Sequence, residues 1–171
     1  LWGMGISEEM IGNLCGYLHS KTVIPEAIHS QMMNYYRQYV ATGGMPEVVK
    51  AFSVQKDYQE VRRIQSDIVR QYEGDFGKHV DTKTLPRIRM VWDSIPMQLA
   101  KENKKFFFGQ IKKGARSSDY EIAIQWLIDC GLVYKVSRVN EPHMPLKAYK
   151  SMSAYKLFVL DVGLLGALSE L

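Results

Sequence analysis

The order of signals between Leu85 and Leu165 constrains this chain more than any other feature. Lys112-Lys113-Gly114-Ala115-Arg116 leads into a helix start at Ser118, where Glu121 three residues on makes a capping box. Ile124, Leu127 and Ile128 give that helix an inward face, and Gly131 stops it. A β-prone run from Leu132 to Val139 follows, then a loop from Asn140 to Pro145, then a second β-prone run from Ala154 to Leu160. Upstream, Leu85, Ile88, Trp92, Ile95 and Leu99 form a helical stripe that Pro96 is expected to break into two pieces. Phe106-Phe107-Phe108 is short and β-prone, and a further helical turn begins at Ile111 and ends at Gly114. Helices, a glycine stop and two strands joined by a loop make the order of a winged helix-turn-helix.

The first half reads as helical throughout. Ser7 caps a segment with Glu8 and Glu9 in its first turn, where carboxylates suit the helix dipole, and Met10, Ile11, Leu14 and Leu18 follow helical spacing. Pro25 suits the first position of the next helix, whose face is Ile28, Met32, Tyr36, Tyr39 and Val40 and whose end is Gly43-Gly44. Pro46 opens a short helix through Val48, Val49 and Phe52. Asp57 with Glu60 starts the longest one, striped by Val61, Ile64, Ile68, Tyr72 and Phe76, with Arg62, Arg63 and Arg70 on the other side. Apolar residues at that period are the signature of a helix bundle with its aromatics in the core. The expected fold is mainly α: a helical, lid-like bundle over residues 1–83, then a winged-helix domain with a small β wing over residues 84–171, the polar stretch from Gly77 to Thr84 marking the boundary.

No apolar run reaches the roughly 18 to 20 residues that a membrane span needs, and Leu157 to Leu168 is interrupted by Asp161 and two glycines. The start, Leu1-Trp2-Gly3-Met4-Gly5, lacks the basic region of a signal peptide, and two cysteines, Cys15 and Cys130, make no disulfide framework, so a reducing cytoplasm is expected. Leu1 opens in an apolar segment and Leu164 to Leu168 reads as an element still under way, which points to a piece of a longer protein.

No catalytic constellation is legible. Gly74-Asp75-Phe76-Gly77-Lys78-His79 has the wrong glycine spacing for a phosphate loop, and a histidine stands where a Mg²⁺-binding hydroxyl belongs. His19, His29, His79 and His143 never fall at metal-ligand spacing with one another or with either cysteine, so no metal site is expected. The carboxylates gather in first turns of helices, where capping accounts for them.

Charge is uneven. Residues 1–85 hold nine Lys and Arg against ten Asp and Glu, whereas residues 86–171 hold thirteen against eight. The second half therefore admits an acidic partner, with nucleic acid the obvious candidate. Yet the helix from Asp119 to Cys130, which would have to read bases, carries Asp119, Glu121 and Asp129 and no Lys or Arg, with Gln125 its one base-reading residue in mid-helix. Nucleic-acid contact is therefore expected only as weak backbone binding, through Lys112, Lys113, Arg116, Lys135 and Arg138, with Lys104 and Lys105 nearby.

The string Tyr39-Val40-Ala41-Thr42-Gly43-Gly44-Met45-Pro46-Glu47-Val48-Val49 resembles the segment after the nucleotide-binding module in a large family of prokaryotic AAA-type ATPases that carry a C-terminal domain of unknown function. Ile95-Pro96-Met97-Gln98-Leu99, Gln110 to Arg116, and Leu160-Asp161-Val162-Gly163-Leu164-Leu165 resemble the same domain, so the likeness covers nearly the whole chain. It implies a fragment: the helical lid continuation and winged helix of an ATPase whose phosphate loop lies upstream and whose nuclease-like α/β domain lies downstream. ATP and Mg²⁺ are implied for that intact parent, the upstream ATPase module is implied as a partner, and no cofactor or enzymatic activity is implied for this chain alone. Gly44-Met45-Pro46 is similar to an element of related ATPases in which the proline packs near the adenine, although helix stop and helix start account for the same residues. The function so implied is non-catalytic coupling of nucleotide state to a downstream domain or an unidentified protein partner. The alternative is a DNA-binding winged-helix module of a regulator.

Overall fold

The computed structural model describes residues 6–78, 80–102 and 105–170; the start from Leu1 to Gly5, His79 and Lys104 lie outside the described residues. Among these are α1 (Glu8–Ser20), α2 (Glu26–Thr42), α3 (Pro46–Gln55), α4 (Tyr58–Asp75), α5 (Leu85–Ala100), α6 (Ser117–Asp129) and α7 (Val162–Leu168). Among the described residues one sheet is present, pairing β1 (Val133–Val139) with β2 (Lys150–Val159) in antiparallel fashion. The chain is thus mainly helical with a small wing. It forms two compact units, one of residues up to Ser66 together with Asp161–Gly163, the other of Asp67–Leu160 and the residues from Leu164 on. The boundary expected at Lys83 lies inside the second unit, because Phe76 at the end of α4 packs edge-on against both Trp92 and Trp126 at centroid distances of 5.7 and 5.5 Å.

In the first unit Ser7 caps α1 as its sequence requires, its hydroxyl accepting from the Met10 amide at 3.2 Å. No α1 residue is buried. Pro25 is the cap of α2 rather than its first residue. The inward side of α2 runs through Ile28, Met32 and Tyr35 to the fully buried Thr42, while Tyr36, Tyr39 and Val40 are exposed. These three were expected in the core; Tyr36 and Val40 lie round the helix from that line, whereas Tyr39 is on it, between Tyr35 and Thr42, and is exposed all the same, where a tyrosine hydroxyl meets water without cost. Core positions come instead from Val48 and Phe52 of α3 and from Val61 and Ile64 of α4. Asp57 caps α4 by accepting from the Gln59 amide at 2.8 Å, but Glu60 pairs with Arg63 at 2.7 Å and makes no capping box. Arg62, expected on the solvent side, is half-buried.

In the second unit α5 runs unbroken through Pro96. A helix-interior proline costs about 3 kcal/mol, whereas burying a large apolar side chain contributes roughly 1.5 to 3 kcal/mol. Ile88, Val91, Trp92 and Ile95 are all buried on this helix, so burial outweighs the lost bond. Trp92 satisfies its indole by donating to Glu73 at 3.1 Å. α6 begins at Ser117 behind an Arg116 cap, and it is Asp119 that closes the turn, its carboxylate accepting from the Arg116 amide at 3.2 Å. The expected box of Ser118 with Glu121 does not form. Gly131, at φ +72°, ends the helix region and lets the chain turn into β1.

The wing is paired from Val133↔Val159 to Ser137↔Tyr155, then slips, so that Val139 faces Lys150. Phe106 to Phe108 is not a strand. The Phe106 amide donates to the Tyr155 carbonyl at 2.9 Å, the Phe107 amide donates to the Gln98 side chain at 2.6 Å, and a single 3₁₀ turn follows at Phe108–Gln110. Among the described residues no helix is long and apolar enough to cross a membrane.

The aromatic cluster predicts an unequal response to truncation. Phe76→Ala should cost about 3 to 5 kcal/mol in urea unfolding, as for a fully buried aromatic, whereas Tyr36→Ala should stay within about 0.5 kcal/mol. Equal losses would mean that Tyr36 is buried in solution.

Candidate functional site

The last carbonyls of a helix have no partner within it and must find one elsewhere. At the end of α2 a single side chain supplies it: the buried Gln65 amide donates to the Ala41 and Thr42 carbonyls at 3.0 and 2.9 Å. The oxygen of the same amide accepts from Arg62 Nη1 at 2.9 Å, and that nitrogen also donates to the Gly163 carbonyl at 3.3 Å. Burial lowers the Arg62 guanidinium from its ordinary value. Thr42 turns its own hydroxyl back to the Gln38 carbonyl at 2.9 Å.

The turn that follows is held across the sequence. The Gly44 amide donates to Asp161 Oδ2 at 2.6 Å, joining residues 117 positions apart. Gly43 is in the positive-φ region at +70°, and a Cβ there would fall inside the Asp161 carboxylate. A Cβ on Gly163 would overlap the Gln65 amide nitrogen and the Thr42 carbonyl. Gly43, Gly163 and Asp161 therefore fit one another as a unit. Met45 is the extended cap of α3 and is half-buried, and Pro46, at its first position, is exposed. Of the three residues expected to meet a nucleotide, Gly44 has its amide committed to Asp161, and Met45 and Pro46 carry the apolar surface that remains.

The five expected cations are distributed unevenly. Lys112, Lys113 and Arg116 stand together and exposed in the turn that enters α6. Lys135 lies on β1 with its ammonium 4.1 Å from the centre of the Tyr155 ring. Arg138 is exposed on β1 at the slip in strand register. Lys135 lines a groove of about 840 Å³ whose other walls include Lys105, Phe107, Glu121, Ile122 and Met152. Burial, and then Lys150, lowers the Lys135 ammonium from its ordinary value, with Glu121 opposing. Burial and Glu121 push the Tyr155 phenol up to about 12. Gln125 also lines the groove and donates to Asp129 at 2.7 Å. Among the described residues no group of three His, Cys, Asp or Glu side chains is placed to hold a metal ion.

Sequence reasoning missed Gln65, Gln98 and the groove. The two glutamines carried a signal. Each occupies an apolar position of its helical stripe, Gln65 beside Ile64 and Ile68, Gln98 beside Ile95, and a lone polar residue there must bond inside the fold.

The glycine turn generates a prediction about stability. Gly163→Ala should destabilise by about 1 to 3 kcal/mol through overpacking against Gln65 and Thr42. Asp161→Ala should cost about 1 to 3 kcal/mol by leaving the Gly44 amide without its partner. Because they disturb one contact set, the double variant should lose clearly less than the sum, and Gly44 amide exchange should quicken in both. Additive losses with unchanged exchange at Gly44 would refute the contact.

No curated protein and no solved structure matches this chain. A family model does, over residues 33–171, a span that takes in α3, the glycine turn, Asp161 and the whole winged helix. This chain belongs to the family described as a domain of unknown function, DUF8612.

Proposed function

We propose that this chain is a non-catalytic coupling segment of an AAA-type ATP-binding protein, with ATP and Mg²⁺ held by an upstream module. In this reading the turn from Gly43 to Pro46 meets the nucleotide module, and the winged helix passes the nucleotide state to a downstream domain or partner. The observation that carries the reading is the bond from the Gly44 amide to Asp161. It locks the turn that resembles an adenine-contacting element to residues that directly follow the wing in sequence, so a displacement of one is a displacement of the other. The fit to a base is partial. The exposed Pro46 ring beside Met45 offers an apolar edge, and the turn contributes no phosphate-binding side chain.

The test is Pro46→Ala in the full-length protein. ATP affinity should fall roughly three- to tenfold, the worth of one ring contact, while the melting temperature barely moves, because alanine also suits the first turn of a helix. Unchanged affinity would return Pro46 to helix initiation alone.

A second reading has its own support. Lys112, Lys113 and Arg116 are exposed, and none makes an ion pair with a described residue. Three uncompensated cations at a helix start suit a phosphate backbone. Duplex DNA binding at low salt should then be abolished by reversing Lys112 and Lys113 to glutamate, and be little changed, with no altered base preference, by Gln125→Ala. Loss of specificity in Gln125→Ala, with the reversal tolerated, would put the acidic helix in the groove of DNA instead.

A further inference from the structure

The groove between α6 and the wing is built, not incidental. Its floor is pinned from two sides, by Gln98 holding the Phe107 amide and by the Tyr155 carbonyl holding the Phe106 amide. At 840 Å³ it is the size of a ligand cleft, mostly apolar with a few polar groups. Its outer rim is Ile122, 71% exposed, and Met152, 86% exposed. Large apolar side chains at that exposure on both lips of one cleft leave apolar surface to be covered.

Two further features select the occupant. The first is charge. Lys135 is exposed, and among the described residues it makes no ion pair; its ammonium stands over the Tyr155 ring, with the charges of Lys150 and Glu121 near enough to act on it. With Lys105 on the same wall, the groove holds two cations against one carboxylate, Glu121. The second is backbone. Residues 151–154 of β2 fall in the register slip and have no partner in β1, and Ala154 turns its amide to the Ser151 hydroxyl at 3.1 Å. Met152 and Ser153, from that slip, form part of the groove wall. Such a slip bends the strand and takes its extra residues out of the ladder, which lets Met152 and Ser153 form part of the cleft wall, where an extended chain lying in the cleft meets them.

We propose that this groove docks an extended segment of a partner protein, one that carries an acidic side chain next to a large apolar one. The carboxylate pairs with Lys135, the apolar side chain covers Phe107, Ile122 and Met152, and the backbone runs beside Met152 and Ser153. Nucleic acid fits less well, since Glu121 lines the same wall and repels a phosphate chain, whereas a peptide places a neutral or basic residue there. The inference rests on the winged helix alone and needs no nucleotide, so it stands or falls separately from the coupling reading.

Selection of a phage-displayed peptide library on the immobilised 171-residue chain tests it. The selected pool should be enriched in Asp or Glu beside Phe, Leu or Ile. A labelled peptide from that pool should bind Lys135→Glu and Ile122→Glu at least about tenfold more weakly than wild type, and bind Lys147→Glu, a wing-loop change outside the groove, as wild type does. Ile122 is a surface position, so its variant folds even if Lys135→Glu does not, and thermal melts check both. A pool without acidic preference, or binding that survives both groove variants, overturns the proposal. So does a labelled oligothymidine that binds wild type and is lost in Lys135→Glu, an outcome that assigns the groove to nucleic acid.

Discussion

One buried amide organises the first unit. Gln65 is fully inaccessible, and each of its polar atoms is used: the nitrogen on the two orphan carbonyls that end α2, the oxygen on Arg62. An unsatisfied buried polar group costs roughly 1 to 3 kcal/mol, so these three bonds are less a gain than an obligation. Once α2 must stop where Gln65 can reach it, Gly43 has to turn at positive φ, Gly44 presents its amide outward, and α3 starts at Pro46. Asp161 then has a donor to meet. The side chain that looks least like part of a site sets the place of every residue in it.

The sequence was readable where periodicity and punctuation agree. Ser7, Gly43, Pro46, Gly131 and the two β-prone runs lie at or near the ends of the elements they mark, because each signal is local: a hydroxyl reaching an amide three residues on, a glycine free to turn, a ring already at helical φ. Reading failed where a distant group decides. Pro96 stays inside α5 because four buried apolar residues hold the helix around it. The Phe106 run is not a strand because Gln98 takes the Phe107 amide that a ladder would need. Glu60 pairs with Arg63 instead of closing a box, and Ser118 is no cap because α6 already begins at Ser117, with Asp119 closing on the Arg116 amide. The glycine turn was legible as helix stop and helix start, but its link to Asp161 was not, since nothing local marks a contact across 117 positions.

The three carboxylates of α6 divide by position. Asp119 serves the helix start, Asp129 accepts from Gln125, and Glu121 alone faces the groove. A helix whose three carboxylates are spent in three ways is not uniformly hostile to anions. Its N-terminal entrance carries Lys112, Lys113 and Arg116, and its groove side sets Glu121 against Lys105 and Lys135. Any partner has to satisfy that mixed pattern, which a uniformly charged polymer does poorly and an amphipathic chain does well.

The two most distinctive strings of the sequence, Gly43-Gly44-Met45-Pro46 and Asp161-Val162-Gly163, turn out to be halves of one contact. That changes what distinctiveness can be taken to mean. Gly43 and Gly163 are required because any Cβ would displace Asp161, Gln65 or Thr42, and Asp161 is required because the Gly44 amide points at it. None of these four residues needs a ligand to explain it. What the contact leaves over is Met45 with Pro46, half-buried and exposed, and helix initiation accounts for the proline but not for the apolar residue before it, which could be polar at a cap. If a ligand has shaped this turn, its mark is in that apolar cap, and the glycines that first draw the eye are the scaffold that presents it.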